Sequence, residues 1–120
     1  MGYRSDVGLC LQRSAYLKLR NAGEALRYTD TEIYKLVQSL LEHPQRTLEC
    51  AEAVVLYWDS VKWHSGYDDV RWLENLLSGL EAEDYLFLRI GEEADDIEAK
   101  GCYWDNPFGM YVARDIAFEN

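Results

Sequence analysis

The sequence predicts an α+β protein: a two-layer domain with about three helices packed on a four-stranded mixed sheet, in the order βααβαββ. Three observations carry that reading. Two stretches place apolar residues at helical spacing: Ile33, Leu36, Val37, Leu40 and Leu41, then Val70, Leu73, Leu76, Leu77 and Leu80. Residues 53–58 are apolar on both faces, as a central strand covered on both sides requires. Residues 85–90 alternate, with Leu86, Leu88 and Ile90 on one face and Tyr85, Phe87 and Arg89 on the other. At 120 residues and 48% apolar content, the chain fits one domain, residues 1–120, with its own core.

In chain order, residues 3–12 read as the first strand, with Tyr3, Val7, Leu9 and Leu11 toward the core and Arg4, Asp6 and Gln12 alternating with them. Residues 13–20 read as a short helix, halted by Asn21-Ala22-Gly23. Thr29 and Glu32 form a capping box that starts the next helix, and Pro44 stops it. Residues 45–49 read as a connector, and residues 51–63 as the longest strand, one face of which emerges into solvent at Ser60 and Lys62. Ser65 or Asp68 caps the third helix, where Asp68 and Asp69 complement the helix dipole. Residues 84–90 form a third strand ended by Gly91. Turn formers fill residues 101–107, and residues 108–118 read as the last strand, with Met110, Val112, Ile116 and Phe118 on one face. The last two strands have no helix between them and should pair antiparallel, whereas the earlier helical crossovers favour parallel neighbours.

Charge is the strongest functional signal. The net charge is −10, and residues 61–120 hold fourteen acids against five bases. Five of those acids, Glu92, Glu93, Asp95, Asp96 and Glu98, follow directly on Gly91. Such a surface disfavours a phosphate backbone and suits a basic protein surface. The acidic run lacks the spacing of a calcium loop and no zinc motif is present, so no metal or other cofactor is expected. Cys10, Cys50 and Cys102 sit in or beside apolar runs without a C-x-x-C pair, which suits a reducing cytosol. No signal peptide or membrane-length apolar run is read, so the expected location is the cytoplasm.

No catalytic residue is assigned. His43 precedes Pro44 at a helix end and reads as a helix C-terminal contact. His64, with Asp59, Asp68 and Asp69 near it in sequence, is the one candidate for an oriented base, and it supports a small carboxylate- or metal-dependent hydrolase as the alternative function. A structural homo-oligomer is the third reading. The aromatic load of the second half points to protein contact, and Trp63, Tyr67, Tyr103 and Trp104, at strand ends or in turns, are the expected exposed anchors.

Three stretches resemble a family of small acidic proteins of bacteriophages and prophages. They are Gly2-Tyr3-Arg4-Ser5-Asp6-Val7; Asp59-Ser60-Val61-Lys62-Trp63 with Tyr67-Asp68-Asp69-Val70; and Arg89-Ile90-Gly91-Glu92-Glu93 through Asp95-Asp96-Ile97-Glu98. Residues 13–50 match nothing in it, and residues 22–44 read as a variable or inserted helical part. The resemblance implies a phage setting, not an activity. Together with the charge it leads to one expectation: a non-enzymatic accessory protein in the host cytoplasm that binds and inhibits a host nucleic-acid-binding defence protein. Glu92, Glu93, Asp95, Asp96 and Glu98, with Asp68 and Asp69, would mimic phosphates.

Overall fold

The structure, a computed structural model, describes residues 2–113. The chain is α+β, with three helices and a five-stranded, wholly antiparallel sheet among the described residues. In sequence the elements are β1 Ser5–Gln12, α1 Arg13–Thr29, α2 Thr31–Glu42, β2 Arg46–Glu49, β3 Ala53–Val61, α3 Asp68–Ser78, a 3-10 turn Ala82–Asp84, β4 Tyr85–Ile90 and β5 Ile97–Gly101. The sheet order is β2-β3-β1-β4-β5.

The expected four-stranded mixed sheet is corrected on both counts. Residues 46–49 are not a connector but the edge strand β2, paired with β3. Residues 97–101, to which no strand is assigned from sequence, form β5, paired with β4. The parallel crossover expected from the first strand to residues 51–63 is also corrected, since β3 pairs antiparallel with β1. β3 and β4 do run in the same sense, but β1 lies between them, so every hydrogen-bonded neighbour is antiparallel. The expected strand over residues 108–118 is absent from 108–113, and residues 114–118 lie outside the described residues.

Local signals were also overridden. The Asn21-Ala22-Gly23 stop does not stop α1, because Gly23 is buried where α1 meets α2 and α3. A Cβ there would meet Leu41, Val37 and Trp72 at 3.6–3.7 Å, ordinary van der Waals contact. Tertiary contact outweighs glycine's weak helix propensity. The cap of α2 is Asp30, one residue beyond Thr29, and its Oδ1 accepts from the Ile33 N–H at 3.1 Å. Neither Ser65 nor Asp68 caps α3, whose N-cap is Tyr67 and makes no side-chain capping bond.

The period-2 pattern divides the core as alternation demands. Val7, Leu9, Leu11, Val54, Leu56, Trp58, Tyr85 and Phe87 point to the helices, meeting Ala15, Leu19, Val37, Leu41, Leu73 and Leu77. Cys10, Ala53, Val55, Leu86 and Leu88 point to the reverse face, where residues 103–112 cover them with Tyr103, Phe108, Met110 and Val112. Gly8 makes that cover possible, since a Cβ there would stand 3.0 Å from the Met110 sulfur. Leu36, expected inward, is 45% exposed at the margin of the α2 stripe.

Candidate functional site

The site grows from one buried cation. Arg89 sits on the helix-facing side of β4, its side chain only 16% exposed. Glu98 stands opposite it on β5, the cross-strand position where opposite charges meet. Arg89 Nε donates to Glu98 Oε1 at 2.9 Å, and Nη1 and Nη2 donate to the two Asp96 oxygens at 3.2 and 2.7 Å. Nη1 also donates to Ser5 Oγ at 3.0 Å, tying β1 into the network. This is the planar, bidentate recognition for which guanidinium is suited. The Arg89 guanidinium is held above its ordinary range, chiefly by the Asp96 bond. Burial pushes Glu98 up, yet the bonds and charges of Arg89 and Lys100 outweigh it and hold the carboxyl below its usual value.

A tight hairpin shapes the rest. Gly91 N–H donates to the Asp96 carbonyl at 2.8 Å, and Asp96 N–H to the Glu93 carbonyl at 3.1 Å. Any Cβ on Gly91 would collide with Asp96 and the Tyr3 hydroxyl, so that position demands glycine. Tyr3 was expected in the first strand, facing the core. It instead lies before β1, is 46% exposed, and donates its hydroxyl proton to Asp96 Oδ2 at 2.6 Å. That bond raises its phenol above the usual value. The Tyr3 oxygen in turn accepts from the Glu93 N–H at 3.1 Å. The Arg4 N–H donates to Glu92 at 2.8 Å.

Beside this network lies an open groove of about 590 Å³, lined by Tyr3, Trp63, His64, Ser65, Glu74, Arg89, Asp96, Ile97 and Glu98. A smaller depression, lined by Gly2, Tyr3, Lys62, Trp63, His64 and Tyr67, shares Tyr3, Trp63 and His64 with it. Of the three carboxylates in the groove, Asp96 and Glu98 pair with the Arg89 guanidinium. Lys100 reaches in from β5, 3.3 Å from Glu98 and 3.9 Å from Glu74, with its ammonium 5.7 Å from the centre of the Phe87 ring. Ser65 Oγ donates to Glu74 at 2.8 Å.

The three stretches that carry the phage-family resemblance converge around this groove and the shallow depression beside it. Besides the Tyr3–Asp96 and Arg89–Ser5 bonds, Ser60 N–H donates to Asp6 at 2.9 Å and Arg4 Nη1 donates to the Ser60 carbonyl at 3.0 Å. These two bonds hold Ser60 at φ 54°, a left-handed conformation that a side chain disfavours. Asp59 carries a raised pKa because its carboxyl hydrogen-bonds to that of Asp6.

The sequence-derived site residues therefore fall into groups. Asp96, Glu98 and Trp63 line the groove, and Tyr67, 46% exposed, lines the depression beside it. Glu92, Glu93 and Asp95 are exposed on the hairpin. Asp68, on the first turn of α3, is ion-paired with Arg71, and Asp69 accepts from the Val70 N–H at 2.9 Å. Two aromatics were misplaced. Trp63 is not exposed but packs on Trp58 and Phe87, at 5.6 and 5.9 Å between ring centres. Tyr103, 8% exposed, belongs to the reverse-face core. Trp104 is 50% exposed but lines no part of the groove.

The acidic run is likewise not the uniformly exposed patch expected, since Asp96 and Glu98 serve Arg89. His64 accepts from the Gly66 N–H at Nδ1, 2.9 Å, and packs near Tyr67; none of Asp59, Asp68 and Asp69 is its hydrogen-bond partner. His43 Nδ1 lies 2.8 Å from the Ser39 carbonyl, the helix-end contact expected of it. Sequence reasoning missed Tyr3, Glu74 and Arg89. The hairpin through Gly91 was the available signal, because it places Arg89 opposite Glu98. No group of three or more His, Cys, Asp or Glu suited to a metal occurs among the described residues, and no described helix is long and apolar enough to cross a membrane. Comparison with protein-family models, curated proteins and solved structures found no match in any of the three.

Proposed function

We propose that this is a non-enzymatic, phage-type accessory protein of the host cytoplasm that binds the basic surface of a host nucleic-acid-binding protein and inhibits it. The observation that supports this reading most is the convergence of an acidic hairpin and an aromatic-walled groove at one end of the sheet. Exposed Glu92, Glu93 and Asp95 flank Asp96 and Glu98 there, and Tyr3 and Trp63 supply apolar surface beside them. Carboxylates steer a basic partner over long range, and rigid aromatics supply short-range contact. The phosphate-mimicking role falls on Glu92, Glu93 and Asp95, because Asp96 and Glu98 are already committed to Arg89.

The test is affinity capture from a bacterial host lysate, with elution by rising salt and by duplex DNA. The expected eluate is a nucleic-acid-binding protein displaced by both. The variant Glu93→Lys with Asp95→Lys should keep the native circular dichroism spectrum and lose at least tenfold in affinity for it, since exposed charges add little to stability but steer a basic partner. Capture indifferent to salt, to DNA and to these reversals would overturn the reading. Reversal of Asp96 is unsuitable, since it would place a second cation against Arg89.

A further inference from the structure

The reverse face of the sheet carries a cavity that the acidic hairpin does not line. Where residues 103–112 cross that face, a space of about 220 Å³ remains at its β2 side, lined by Arg46, Leu48, Val55, Tyr57, Phe108 and Met110. Its walls are apolar, formed by Leu48, Val55, Phe108 and Met110. An apolar cavity of about 150 Å³ takes one benzene ring, so this one has room for a ring with a short side chain.

Two polar groups stand at the cavity, and both offer donors. Arg46 and Tyr57 are directly opposite on β2 and β3, so their side chains leave the sheet on one face, next to each other. Arg46 is exposed, and its guanidinium has neither an ion pair nor a hydrogen bond among the described residues. The hydroxyl of half-buried Tyr57 has no partner among them either. Burial, with the charges of Asp6 and Asp59, raises that phenol above its ordinary value, so it keeps its donor hydrogen at neutral pH. No carboxylate lines the cavity among the described residues. Asp6 lines a separate hollow of about 260 Å³ beyond Met110. In a chain of 22 acids and 12 bases, an arginine without an acid at the mouth of an apolar cavity is set for an anion from outside.

We infer that this cavity binds a small apolar carboxylate, its ring or short hydrocarbon chain among Leu48, Val55, Phe108 and Met110 and its carboxylate accepting from Arg46 and Tyr57. Removal of the apolar body from water supplies affinity, and the two donors fix the orientation of the head group. A guanidinium suits this task because its planar fork matches a carboxylate. A neutral ligand of the same shape gains only the apolar part, and an amine sets a cation against Arg46.

The probes are phenylpropanoate, phenylpropanol and phenylpropylamine, which share one apolar body and differ in the head group. Titrated into the intact chain at neutral pH, the carboxylate should give saturable NMR shifts of the Leu48, Val55 and Met110 methyl groups at millimolar concentration. The alcohol should bind at least about fivefold more weakly, and the amine at least about tenfold. Arg46→Gln lies at an exposed position and should keep the native circular dichroism spectrum. It should cut the affinity for the carboxylate at least about fivefold and leave that for the alcohol unchanged. Equal binding of carboxylate and alcohol, carboxylate binding indifferent to Arg46→Gln, or no saturable binding would overturn the inference. So would tighter binding of the amine with shifts at Gly8 and Leu88, which would place it in the hollow beside Asp6. A dimer in ligand-free sedimentation that Leu48→Lys dissociates would also overturn it, because a second copy would then occupy the space.

Discussion

Replacing Arg89 with methionine should cost more stability than any other single charge removal at the groove, and its cost should shrink in acid. Arg89 neutralises Asp96 and Glu98, whose side chains are 30% and 33% exposed. Breaking a buried pair by removing one partner costs about 3–5 kcal/mol, because the other charge is left uncompensated. Water reaches about a third of both carboxylates here, so about 2–3 kcal/mol is the better figure. For a chain of this length that is a drop of roughly 8–12 °C in melting temperature.

The pH dependence gives the sign. In the native protein Glu98 is held below its usual value, so its stabilising contribution is present above the ordinary glutamate pKa and is lost as pH falls through the lowered one. In the variant burial still pushes Glu98 up while only Lys100 remains to oppose it, so the variant has less carboxylate stabilisation to lose as pH falls. Thermal melts monitored by circular dichroism at pH 7 and pH 4 should therefore show the gap between the two proteins closing as pH falls. Adding Glu98→Gln to the variant should recover part of the loss at pH 7. A gap below about 1 kcal/mol, the worth of an exposed pair, or one unchanged between pH 7 and pH 4, would refute the argument that Arg89 offsets buried charge.

Three further outcomes are expected. Trp58→Phe should destabilise by about 2–3 kcal/mol, since it removes the bond from the indole N–H to the Leu40 carbonyl (3.0 Å) and leaves a cavity. Trp63→Phe should cost about 1 kcal/mol or less, because it also removes a buried indole N–H that has no partner among the described residues; urea denaturation of both variants separates them. Gly23→Ala should stabilise by about 0.5–1 kcal/mol, as a Cβ fits there and alanine favours helix. Gly101→Ala should instead destabilise by at least about 1–3 kcal/mol, for its φ is +80° and a Cβ would strike the Tyr85 carbonyl; differential scanning calorimetry reads both. A thiol reagent at pH 8 should label exposed Cys102 rapidly. It should spare Cys10 until the chain unfolds, because burial pushes that thiol up to about 12; peptide mapping by mass spectrometry checks the order.

By itself the sequence determined what depends on local periodicity: the α2 and α3 stripes, the alternation of β1 and β4, the doubly covered β3 and the excess of acid in the second half. Those signals hold because side-chain direction repeats every 3.6 residues in a helix and every 2 in a strand, whatever the chain later packs against. Only the tertiary structure decided which strands are neighbours. Residues 46–49 and 97–101 carry short, polar patterns that read as loop, and they become strands because β3 and β4 offer them backbone partners. It also decided that Asn21-Ala22-Gly23 stays helical, since the gain lies in contacts with α2 and α3 far along the chain. Tyr103 and Trp104 are adjacent and similar in sequence, yet one fills the reverse-face core and the other meets solvent. The acidic run shows the same division most clearly. Its charge is legible from composition, but which carboxylates are spent on Arg89 and which face outward follows from the fold of the Gly91 hairpin, because pairing and desolvation are properties of three-dimensional neighbours.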